Sequence, residues 1–76
     1  MMQLEEFIKK FAECFNQTDA ASITPETEFR KLDEWGSMMA LIVIAMVDAD
    51  YNKTVTSEDL KSANTVAQLF DVINRN

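Results

Sequence analysis

Seventy-six residues with 13 acidic side chains, 7 basic ones and no histidine leave room for one small domain, residues 1–76, of net charge -6. That balance disfavours binding to nucleic-acid phosphates and favours partners with basic surfaces. Cys14 is the only cysteine, so an internal disulfide, the usual zinc sets and Ser/His or Cys/His nucleophilic catalysis are all excluded.

Apolar residues make up 47% of the chain, with five Phe and five Met among them, which is enough for a core near the lower size limit for a single domain. The opening "MMQLEEFIKKF" is acidic at once and has no basic region leading into a long apolar one, so a secretory signal is not expected and a cytoplasmic location is. From Leu4 to Phe15, the residues Leu4, Phe7, Ile8, Phe11, Cys14 and Phe15 recur at helical spacing and predict a first amphipathic helix. Glu5 with Lys9 and Glu6 with Lys10 stand four apart on its wet side. Cys14 belongs to the apolar stripe and reads as a small buried hydrophobe.

From Asn16 to Gly36 the pattern breaks, and the only proline and glycine of the chain fall here. Within this long connection "TPETEF" predicts a short turn, with Thr24 as cap and Pro25 at the first helical position. Phe29 and Leu32 are placed to pin the loop to the core.

The second helix is expected from Ser37 to Tyr51, with "YNKT" ending it. Its run from Met38 to Val47 contains no polar residue, but ten residues fall short of the roughly twenty a bilayer-spanning helix needs, so no membrane insertion is expected. At 100° per residue, Ala40, Val43, Ile44, Val47 and Tyr51 share one arc that suits a core. Met38, Ile42, Ala45 and Ala49 share the opposite arc, and Met39 and Met46 lie on a flank between the two. A helix apolar all round is either enclosed or at an interface. Two explanations fit: the long loop folds over the second arc, or Met38, Ile42, Ala45 and Ala49 form a docking surface, for which adaptable methionine is well suited.

A short third helix is expected at "TSED", where Thr56 and Asp59 have capping-box spacing. The last begins at "NTVAQLFDVI", with Thr65 and Gln68 as a second capping box and Val66, Leu69, Phe70 and Ile73 as one stripe. The fold class is therefore all-α, with three main helices plus a short one and a long loop after the first.

A serine before an apolar helical run reads first as an N-cap. Its setting adds a second reading. The chain resembles the acyl carrier protein family over nearly its whole length, in the order "TPETEFRKL" for the loop, "LDEWGSMMAL" for the serine motif and "ANTVAQLFDVI" for the close. The resemblance implies a small four-helix bundle of the acyl-carrier type. It implies 4'-phosphopantetheine on Ser37, holding acyl groups as thioesters for fatty-acid, polyketide or related biosynthesis. It also implies a non-catalytic, monomeric carrier whose partners are a phosphopantetheinyl transferase and acyl-transferring or condensing enzymes. A peptidyl or aminoacyl carrier and an unmodified helical interaction domain are the alternatives.

The departures from the family are specific. Gly36 stands where Asp is common and Met38 where Leu is, which bears on recognition by a general transferase and on its metal contact. Ile42 and Ala49 occupy positions where the family often has acids, leaving Asp48 and Asp50 near the helix end. The expected docking site on a partner is therefore more apolar than the family's usual basic patch. Trp35 is also unusual; of two roles, shielding the base of the arm or fastening the loop, the second is favoured.

Overall fold

The computed structural model describes residues 3–75. The described residues form four helices: α1 (Leu4–Glu13), α2 (Ser37–Tyr51), α3 (Ser57–Ser62) and α4 (Val66–Arg75). Two 3-10 turns, Ala20–Ser22 and Phe29–Lys31, lie in the segment joining α1 to α2, and no strand occurs among the described residues. The molecule measures 28 × 24 × 20 Å. No helix is long and apolar enough to cross a membrane among the described residues.

The core forms where the apolar stripes meet. Phe7 and Phe11 of α1, Val43 and Val47 of α2, Val66, Leu69 and Ile73 of α4, and Phe29 from the loop are fully buried. Each such side chain contributes about 1.5–3 kcal/mol through the apolar surface it removes from water. α1 packs against α2 and α4, and α3 against α4. Aromatic rings run through the centre: Phe7 meets Phe11, Phe70 and Tyr51 at centroid distances of 6.0, 5.6 and 6.1 Å. Phe11 carries the series on to Phe15 and Phe29 at 5.2 and 5.8 Å.

Helix α1 stops two residues before the predicted Phe15, because its last turn tightens. The Cys14 and Phe15 amides bond to Phe11 and Ala12 at 3.1 Å, an i-to-i+3 pattern that ends the α-helix while keeping Phe15 buried. Lys10 does not spend its charge on Glu6. It reaches across to Asp50 of α2 at 3.7 Å. Cys14 is half-buried beside the core, and burial, then Asp50 and Glu13, push its thiol above the usual range, so it remains a neutral small hydrophobe.

The "TPETEF" segment turns, but not as a Pro25-initiated helix. The Thr27 amide bonds to Thr24 O at 3.1 Å, and the capping side chain is that of Thr27, whose Oγ1 accepts from the Thr24 amide at 2.8 Å. The helical turn comes later, at Phe29–Lys31. This loop also serves α4: the carbonyls of Thr27 and Pro25 accept from the Val66 and Ala67 amides at 3.0 and 2.9 Å. Amides at the start of a helix have no partner within it, and here the loop supplies one.

Both expected capping boxes are formed. Thr56 Oγ1 accepts from the Asp59 amide while Asp59 Oδ2 accepts from the Thr56 amide. Thr65 and Gln68 make the same exchange at 3.2 and 3.1 Å. Helix α2 ends at Asn52, which takes the left-handed conformation (φ 54°) that asparagine tolerates, with its amide on Asp48 O at 3.1 Å. In α4, Val72 is buried and Phe70 only half-buried, so the inward stripe lies slightly further round than predicted.

Candidate functional site at the start of α2

Ser37 is not the N-cap of α2. Gly36 holds that place, since its carbonyl accepts the first helical bond from the Ala40 amide at 3.0 Å. Ser37 is the first helical residue, exposed to solvent, and its hydroxyl takes part in no hydrogen bond among the described residues. Gly36 has extended backbone (φ 177°), and a Cβ placed on it would meet nothing within 4 Å. Glycine is thus not imposed by the fold at this position. Its effect is to leave the first amides of α2 without a side-chain cap and the approach to Ser37 open.

The segment leading into Ser37 is fixed from two sides. Trp35 packs edge-on against Phe29 at 5.1 Å and stacks on Phe15 at 6.4 Å, which ties the loop to the core and supports the fastening role. Glu34, beside it, faces the chain leaving α1. Its carboxylate accepts from the Gln17 amide and the Thr18 hydroxyl at 2.8 Å and from the Asn16 amide at 3.1 Å. Partial burial pushes this carboxyl up, but the bonds from Thr18, Gln17 and Asn16 together outweigh that and hold it below its ordinary value. Glu28 makes a second tether, accepting from Asn64 Nδ2 at 2.9 Å and pairing with Lys31. Those bonds, Asn64 first, also hold it below the usual carboxylate range.

Ser37 stands at the edge of an open cleft of about 460 Å³ between the start of α2 and α3. Trp35, Ala40, Leu41 and Leu60 supply its apolar lining, and Arg30 and Lys61 supply charge. Arg30 Nε donates to Ala63 O at 3.2 Å, which orients the guanidinium at the junction of α3 and α4. Among the described residues no cluster of three or more metal-ligating side chains occurs.

On α2 the two arcs separate as their angles require. Val43 and Val47 are buried, with Ala40, Ile44 and Tyr51 half-buried beside them. Met38, Ile42, Ala45 and Ala49 are all exposed: the long loop packs elsewhere and leaves this arc uncovered. Of the flank residues, Met39 is buried and Met46 half-buried, so both belong to the core side. Leu41, which the arc assignment passed over, is 66% exposed beside Met38 at 73% and Ile42 at 39%, and the three form one apolar patch next to Ser37. An angular plot places Leu41 beside Asp48, on the edge where a surface helix is normally polar, and that position is the signal that it faces solvent.

The chain has no match among protein-family models, curated proteins or solved structures with which it was compared.

Proposed function

We propose that the protein is an acyl carrier of the acyl-carrier bundle type, with Ser37 as the residue that receives 4'-phosphopantetheine. The observation that carries this reading is the state of the Ser37 side chain. A serine used as a cap would spend its oxygen on an amide of the first turn, whereas this hydroxyl is exposed and makes no hydrogen bond among the described residues. The surroundings fit the group. A phosphodiester on the first helical residue lies at free backbone amides and the positive end of the helix dipole, and the cleft beside it offers apolar lining and two cations. When attached, the group supplies a thiol on a long arm, on which acyl groups travel as thioesters.

The chain's own residues have the supporting tasks. Glu34 and Trp35 hold the segment before Ser37, so that the anchor point is fixed relative to the core. The patch of Met38, Leu41, Ile42, Ala45 and Ala49 adjoins the anchor and provides an apolar surface for the transferase and for acyl-transferring or condensing partners. A tether raises the effective concentration of a substrate at such a docked partner. No catalytic residue is assigned, because the base that takes the Ser37 proton belongs to the transferase.

Intact mass after incubation with coenzyme A and a panel of transferases tests the proposal. Wild type should gain one phosphopantetheine increment and Ser37→Ala none; wild type unmodified by every transferase would sink it. The exposed patch also suits a second reading, an unmodified helical interaction domain that binds a partner helix. That reading gains if partner binding is retained in Ser37→Ala and no mass increment is ever seen.

A further inference from the structure

The cleft beside Ser37 differs in charge from the molecule around it. The chain has 13 acidic and 7 basic residues, yet the cleft is lined by Arg30 and Lys61 and by no carboxylate. Two other surface hollows each include acids, Asp71 in one and Asp33 with Glu34 in the other. Neither Arg30 nor Lys61 is ion-paired among the described residues. Arg30 is oriented by its Nε bond to Ala63 O, which leaves the rest of its fork of donors for another acceptor. Lys61 comes from the last turn of α3, so the two cations reach the cleft from different elements.

We infer that Arg30 and Lys61 form a clamp for an anionic group carried on the arm at Ser37. This inference rests on the carrier reading above. Charge complementarity selects the occupant: an apolar floor of Trp35, Leu41 and Leu60 suits the body of the arm, and two cations that are in no salt bridge among the described residues, Arg30 with only Glu28 as an acidic neighbour, suit a negative group on it. Such a group has two sources. One is the phosphodiester at the arm's base, which Ser37 itself places at the cleft edge. The other is a carboxylate at the far end of an acyl cargo folded back over the floor. Surface attraction of this kind weakens as salt rises, which gives it a signature distinct from apolar packing.

The test is nitrogen-15 and phosphorus-31 NMR on the full chain in four states: unmodified, carrying the bare arm, carrying butyryl and carrying succinyl. The last two differ in a terminal carboxylate. The clamp predicts that the Arg30 Nε–H and the Lys61 amide shift on modification, and that the shift shrinks by more than half on going from low to high salt. A phosphodiester source gives the shift with the bare arm; a cargo source gives it with succinyl and not butyryl. Lys61→Gln should reduce the Arg30 Nε–H shift, and Arg30→Lys, which keeps the charge, should preserve most of the Lys61 amide shift. Chemical-shift dispersion checks the fold of each variant. If intact mass shows the arm attached but neither residue responds, or the response ignores both salt and Lys61→Gln, the clamp is wrong and the carrier reading stands. If no mass is gained, both fall, and the mass spectrum tells the two failures apart.

Discussion

A side chain's hydrogen bonds say what it is free to do. Ser37 makes none among the described residues, and this separates two accounts of the same residue by a stability measurement alone. Removing a capping serine costs about 0.5–2 kcal/mol. Because Ser37 is not the cap, Ser37→Ala should change the urea-unfolding free energy by less than about 0.5 kcal/mol, and a larger loss would return the serine to a structural role. Tyr51 poses the opposite case. Its hydroxyl is buried with no partner among the described residues, although the ring packs well against Phe7. Burial first, then the nearby Glu6 and Asp50, push its ionisation above the usual range, so the phenol stays neutral. Tyr51→Phe discards the orphaned hydroxyl and keeps the ring, and should raise stability by about 1 kcal/mol. A lower urea midpoint would show that the hydroxyl has a partner after all.

At the scale of elements, the segment from α1 to α2 is the part whose order rests on specific acceptors. Glu34 and Glu28 both have carboxyls held below the ordinary value of 4.5 in the folded state. A depressed carboxyl stabilises the fold above its unfolded pKa, and that contribution is lost as pH falls through the folded one. Wild type should therefore be more stable than Glu34→Gln at neutral pH, and the two urea midpoints should converge below pH 4.5. A gap that stays constant on acidification would contradict the tether. On α2 the relevant substitution lies on the exposed arc. Ile42 is 39% exposed and outside the core, so Ile42→Glu should leave the helical circular dichroism unchanged. In a transfer assay with a competent partner it should lower kcat/KM by about tenfold or more, since a charge is then desolvated at an apolar interface. Unaltered transfer would place docking elsewhere.

Over the whole molecule, what could be read from the sequence was whatever local spacing determines. The bounds of α2, both capping boxes and the inward stripe of α1 follow from periods and side-chain chemistry within a few residues. What could not be read depends on partners far along the chain. The Glu34 tether joins residues 16 to 18 positions apart, and the loop carbonyls that receive the α4 amides come from about 40 residues away, so neither has a local signature. The candidate site was partly legible for the same reason. Its serine and its exposed arc lie on one helix, whereas the cleft needs Arg30 and Lys61 brought together by the fold. Four serines, Ser22, Ser37, Ser57 and Ser62, are exposed, and exposure alone does not choose among them. The most direct measurement is therefore fragmentation mass spectrometry of the intact chain after transferase treatment. With Ser37 as the attachment point, the phosphopantetheine increment should appear on every fragment that contains residue 37 and on none that lacks it; an increment on another serine, or none with any transferase, would overturn the assignment.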